Sequence, residues 1–189
     1  MRVSAAVALV AGMALASIAF LEQYKDAPAS RSPWNQEANA VEAAHATVGV
    51  VQAFEKRVEA LEARVSRAPD DRQLRLDLAR LLHDGHRPGA AVEHYRRAID
   101  LDPSDARPYY DLAAALREEN RWDDAVSTLE ARLAREPEDA IALYNLGAIR
   151  ASQNRREEAR RYWDLARGRT DDPGLLAAID EGFARLKGR

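Results

Sequence analysis

The chain has 189 residues, 31% of them charged, with a formal net charge of −3 and no cysteine. That balance gives no general attraction to nucleic acid or to an anionic lipid surface. Without cysteine there is no disulfide framework, no thiolate metal site and no thioether- or thioester-linked lipid, and the length leaves room for one modest domain with appendages.

Val3 to Leu21 carry no charge and follow a lone Arg2. As a helix this stretch would span about 28 Å, enough for a bilayer core. Its strongly apolar residues, Val3, Val7, Leu9, Val10, Leu15, Ile18, Phe20 and Leu21, contribute about −2 to −5 kcal/mol toward insertion, sufficient for targeting. Two fates are open. A cleaved secretory signal would use the small residues of Ala14-Leu15-Ala16 or Ala27-Pro28-Ala29. An uncleaved single-pass anchor would use Phe20, Tyr24 and Trp34 as interfacial aromatics. Either fate keeps Arg2 in the cytoplasm and sends the rest of the chain to the periplasmic or extracytoplasmic side. Residues 1–21 are therefore read as a transmembrane or signal helix. Residues 22–36, with Pro28, Ser30, Ser32 and Pro33 and no apolar period, are read as a flexible linker.

From Glu37 the character changes. Val41, Ala44, Val48, Val51, Phe54, Val58, Leu61 and Val65 recur at steps of three and four, a helical stripe that Gly49 either divides in two or interrupts without breaking. Leu61-Glu62-Ala63-Arg64-Val65 echoes Leu129-Glu130-Ala131-Arg132-Leu133, and Pro69 anticipates Pro103. Residues 37–71 therefore read as a degenerate leading repeat ending in its second helix. The alternative use of the same stripe is self-association through residues 41–65 as a coiled coil.

Three fuller units follow, 72–105, 106–139 and 140–173. Ala91, Ala125 and Ala159 share one register at a spacing of 34 residues, as do Leu78-Ala79, Leu112-Ala113 and Leu146-Gly147, and the series Tyr95, Leu129, Trp163. A fixed period of that length marks stacked helix–turn–helix units. The small residues sit where paired helices cross closely, and the large ones fill the space between them. Pro103 and Pro137 stop the second helices, because proline disfavours helical geometry in the residue before it. Asp84-Gly85, Glu119-Asn120 and Gln153-Asn154 mark the turns inside the pairs. Leu175, Leu176, Ile179, Phe183 and Leu186 predict a final amphipathic helix over 174–189, placed to cover the last apolar face of a solenoid. Arg155, Arg156, Arg160, Arg161, Arg167 and Arg169 crowd the same end but alternate with Glu157, Glu158, Asp164 and Asp171, the pattern of a solvated, ion-paired face.

These residues resemble the tetratricopeptide repeat, whose pattern calls for Leu-Gly or Leu-Ala, then Ala, a Leu or aromatic, Ala and a closing Pro. The likeness runs over 72–170, with a weaker extension back to Gln52. Arg132, Arg150 and Asp171 depart from it, and Arg132 suggests a looser helix contact in the middle unit. The fold implied is an all-α solenoid: three repeats, a degenerate leading repeat and a C-terminal capping helix, behind the N-terminal membrane or signal helix. In this family the first helices line a groove that takes peptides or partner helices. The residues the resemblance assigns to that groove are Gln73, Leu76, Arg80 and His83 in the first unit, Arg107, Tyr110 and Arg117 in the second, and Ile141, Tyr144 and Asn145 in the third. Some relatives hold a chaperone's terminal carboxylate with a Lys/Asn/Arg set. Here those places hold Leu76, Arg80, Asp111, Ile141 and Asn145, and Asp111 argues against that specialisation.

No glycine-rich phosphate loop, nucleophile motif or opposed carboxylate pair is present in the sequence. His83, His86 and His94 cluster about one turn, but histidines in a polar turn are ordinarily solvated rather than metal ligands. The expectation is a non-enzymatic scaffold without cofactor or metal: a membrane-anchored accessory subunit or assembly factor of an envelope complex. Its partner would be a protein, as a peptide segment or a membrane-complex subunit, with the membrane engaged through residues 3–21 and no nucleic acid. The alternative is a periplasmic holdase for an unfolded client, similar to the repeat domain of cytochrome c maturation proteins.

Overall fold

The computed structural model describes the backbone of residues 33–187 and the side chains of residues 49–186. Among the described residues the regular structure is all helical: α1 Pro33–Arg67, α2 Arg72–Asp84, α3 Pro88–Leu101, α4 Arg107–Glu118, α5 Trp122–Arg135, α6 Ala140–Ser152, α7 Arg156–Arg167 and α8 Pro173–Lys187. The segment Val3–Leu21 lies outside the described residues. Among the described ones, no helix is long and apolar enough to cross a membrane. The chain divides into two units between Ala53 and Phe54, and the second holds the repeats.

One boundary differs from the sequence reading, and the open choice at Gly49 is decided. Helix α1 begins at Pro33, inside the expected linker. Proline is well placed there, since the first turn of a helix has no use for its missing N–H. Nor does Gly49 divide the stripe: α1 runs unbroken for 35 residues. A single glycine costs a helix only about 1 kcal/mol, too little to end one without a turn sequence after it.

The 34-residue period is built from repeated local devices. Asp71, Asp105 and Asp139 each accept a hydrogen bond from a backbone N–H at the start of a first helix: Leu74 at 3.0 Å, Arg107 at 3.0 Å and Ala142 at 2.9 Å. Helix starts leave such donors unpaired, and a short acidic side chain satisfies one and suits the helix dipole. The turn inside each pair has a residue in the left-handed region, His86 (φ 58°), Asn120 (φ 59°) and Asn154 (φ 60°). Gly85 has an ordinary φ of −80°, so the turn does not require a glycine there. Its role is contact: a Cβ at Gly85 would run into the ring of Phe54.

The second helix of each pair packs on the first through a small residue facing a large one. Ala91, Ala125 and Ala159 are fully buried, and so are Leu78, Leu129 and Leu146. Burying one such leucine contributes about 1.5–3 kcal/mol. The core is continuous from Val58 and Val65 of α1 through α2–α6, and a second cluster around Trp163 and Ile179 closes the far end. Phe54, Val58, Leu61 and Val65 of α1 belong to this core. Arg87 ties that helix down, forming an ion pair with Glu55 and lying over the Phe54 ring. Helix α8 packs Ile179 and Phe183 against Trp163, as a cap must.

Candidate peptide-binding groove

Helices α4 and α6 place their exposed sides next to each other, and a groove of about 250 Å³ runs between them. Its floor is small, with Ala113, Ala114 and Ala148, and its walls carry Arg117, Tyr144 and Asn145. It continues into a wider recess of about 450 Å³ bounded by α8, where Arg117, Tyr144 and Ala148 meet Glu181, Arg185 and Leu186. Tyr144 is held in place from below. It stacks on Trp163, with ring centroids 6.4 Å apart and 27° between planes, and its carbonyl accepts the indole N–H at 3.0 Å. Among the described residues, the Arg117 guanidinium, the Tyr144 hydroxyl and the Asn145 amide have no hydrogen-bond or ion-pair partner. Three uncommitted polar groups over an alanine floor can receive a peptide backbone and an acidic or polar side chain.

The other expected groove residues are engaged elsewhere. Leu76 is 2% exposed and belongs to the core. Gln73 is exposed and donates to Asp77 at 2.8 Å. Arg107 donates to Asp111 at 3.0 Å, and Arg80 stands 3.9 Å from the same carboxylate. Both cations share that one carboxylate while staying exposed, at 41% for Arg80 and 70% for Arg107. His83 faces Tyr95 edge-on, 3.3 Å from Glu118. Ile141 is exposed but lines neither part of the groove.

Tyr110 is the clearest correction. Its hydroxyl donates to Asp139 at 2.6–2.7 Å, and Arg132 donates to the same carboxylate at 2.7 Å. Burial pushes the Tyr110 phenol up, reinforced by the bond to Asp139. Burial also opposes ionisation of Asp139, but bonds from Tyr110, the Ala142 N–H and Arg132 outweigh it and hold the carboxyl below its ordinary value. Arg132, which departs from the small residue expected there, therefore clamps the second repeat to the third rather than loosening it. Glu181 and Arg185 of α8 also line the recess, although in the sequence that helix reads as a cap alone and no motif points to them. Among the described residues, no group of three His, Asp or Glu could hold a metal.

A tetratricopeptide-repeat family model matches residues 82–146, and another matches 55–106. The chain is a tetratricopeptide-repeat protein. Folds of this family are protein–protein interaction scaffolds. Among solved structures, this repeat protein is similar to a crystal structure of MamA, at 19% identity and a TM-score of 0.56, over 74% of this chain and 90% of that one. A further MamA structure matches at 21% identity and 0.56, over 74% and 78%. YrrB, described as a TPR protein with an unusual peptide-binding site, matches at 23% identity and 0.59, over 70% and 68%. At these identities the likeness shows the fold. No curated protein matches the chain.

Proposed function

We propose that this protein is a non-enzymatic scaffold that takes a peptide segment of a partner protein between α4 and α6, against α8. The observation that carries this reading is the trio of unpartnered polar groups, Arg117, Tyr144 and Asn145, over an alanine floor. YrrB, a structural neighbour with a peptide-binding site, supports it by fold. The uncharged stretch Val3–Leu21 supports a membrane anchor that holds the repeats on the extracytoplasmic side, as for an accessory subunit or assembly factor of an envelope complex.

The test is affinity purification of the full chain from its native membranes in mild detergent, with intact-mass analysis and identification of co-purifying proteins. A stoichiometric complex that is lost in Arg117→Glu/Tyr144→Ala, with the helical circular dichroism unchanged, is the expected result. Recovery of the chain alone overturns the accessory-subunit reading. Weak, salt-sensitive capture of many unfolded peptides by the same groove would make it a holdase instead.

A further inference from the structure

Residues 54–67 of α1 and helix α2 enclose a groove of about 500 Å³ that shares no lining residue with the recess at α4, α6 and α8. Its floor is Ala60, Leu61 and Leu81. Arg57 and Arg64 of α1 stand on one wall, Asp77 and Asp84 of α2 on the other. Arg80, between the two aspartates, lies 3.9 Å from Asp111. The chain reverses at residues 68–71, and at the far end Gly85 lies against the Phe54 ring while Arg87 pairs with Glu55. Arg64 therefore stands across from Asp77 at the loop end, and Arg57 across from Asp84 at the other. Opposite charges face each other at both ends, yet no ion pair joins the walls. Among the described residues, Arg57, Arg64 and Asp84 have no hydrogen-bond or ion-pair partner, and Asp77 accepts only from Gln73.

We infer that this groove is a second docking site, for an amphipathic helix of a partner protein that carries acidic residues seven apart along one edge of its apolar stripe and basic residues seven apart along the other. The spacing calls for a helix. On each wall the like charges are seven residues apart, nearly two full turns, so they repeat on one face about every 10.5 Å. A helix lying lengthwise repeats its own edges at that interval. An extended peptide presents one face about every 6.7 Å, and neither that step nor its double matches. The signs call for mixed edges. A uniformly acidic helix would satisfy Arg57 and Arg64 but set its other edge against Asp77 and Asp84, and a uniformly basic one would do the reverse. Such like-charge juxtaposition is how an interface rejects wrong partners. Turning a helix end for end exchanges its edges, so the two walls also fix the direction in which the partner lies. The floor of Ala60, Leu61 and Leu81 receives its apolar stripe.

The experiment uses the full chain in a neutral mild detergent and three dye-labelled synthetic helices sharing one leucine stripe. The first has glutamate along one edge and lysine along the other, the second glutamate along both, and the third lysine along both. Fluorescence anisotropy is expected to show the mixed helix binding about tenfold more tightly than either of the others. Arg57→Glu/Arg64→Glu makes both walls acidic. It should weaken the mixed helix by about tenfold and tighten the all-lysine one, a change of preference that misfolding would not produce. Because the chain has no cysteine, Ala60→Cys places a single thiol in the floor. Iodoacetamide should alkylate it freely in the protein alone and slowly once the mixed helix is bound. Equal affinity for the three helices, no binding of the mixed one, or a double variant that keeps the original preference would each overturn the inference. So would a thiol shielded without any added helix: shielding at every concentration means that the chain's own residues fill the groove, and shielding that grows with concentration means that a second copy does.

Discussion

The indole of Trp163 lies against the α-carbon of Gly147 so closely that no methyl group fits between them. The equivalent pairs in the earlier repeats are Ala79 with Tyr95 and Ala113 with Leu129. The largest filler therefore stands opposite the smallest residue, and Gly182 of α8 makes room on the other side: a Cβ there would stand 2.8 Å from Trp163. Close-packed interiors tolerate volume exchange but not added volume. Gly147→Ala should thus lower stability by about 1–3 kcal/mol. Adding Trp163→Leu, which reproduces the Ala–Leu pair of the second repeat, should recover part of that loss. Urea denaturation of both variants checks the coupling; strictly additive losses would exclude it.

Asp139 caps α6 and receives Tyr110 and Arg132 in a site where its side chain is 6% and that of Arg132 is 12% exposed. Asp139→Ala removes the cap and strands a buried guanidinium. A loss of about 3–5 kcal/mol is expected, read as a shift of the urea midpoint.

Because the folded state holds this carboxyl below its ordinary value of 3.8, its stabilisation is complete above that value and is lost as pH falls through the lower, folded one. Acid unfolding should therefore begin at higher pH in Arg132→Leu, which lacks one of the donors that keep the group ionised. An acid titration followed by circular dichroism compares the two proteins. Coincident curves would count against the clamp.

His94 is half-buried, and its Nδ1 has no hydrogen-bond partner. Burial lowers its pKa, Arg75 lowers it further, and Glu62 and Glu93 act in the opposite direction. A depressed histidine favours folding most when neutral. Its contribution is full above the ordinary value of 6.5 and declines as pH falls below it. Melting temperatures should drop on going from pH 7 toward 5, and His94→Gln should flatten that slope.

His86, Asn120 and Asn154 all adopt left-handed backbone angles. Asparagine tolerates that region, whereas other side chains incur about 1–2 kcal/mol of strain. His86→Gly is expected to raise stability by about 1 kcal/mol and Asn154→Ala to lower it by about as much, measured by thermal unfolding.

Much of the fold is written in local chemistry. The Asp71 and Asp139 caps and the helix-ending prolines act over a few residues and are legible one repeat at a time, while the alanine–large-residue pairs are legible because they recur at the 34-residue period. The candidate groove was legible only in part. Of the residues assigned to the groove by register, Arg117, Tyr144 and Asn145 line it together, while Leu76 is core and Arg80 and Arg107 are held by Asp111.

By itself, then, the sequence determined that this chain is a helical repeat, with its units in register, because helix propensity, capping and turn geometry depend on neighbours along the chain. Only the tertiary structure decided which polar side chains are paired inside the fold and which are left without a partner there. Tyr110 and Tyr144 occupy the same register, yet Asp139 takes the hydroxyl of the first and leaves that of the second free. The difference arises from residues brought together across repeats, 29 positions apart for Tyr110 and Asp139, and such pairings exist only once the helices have stacked.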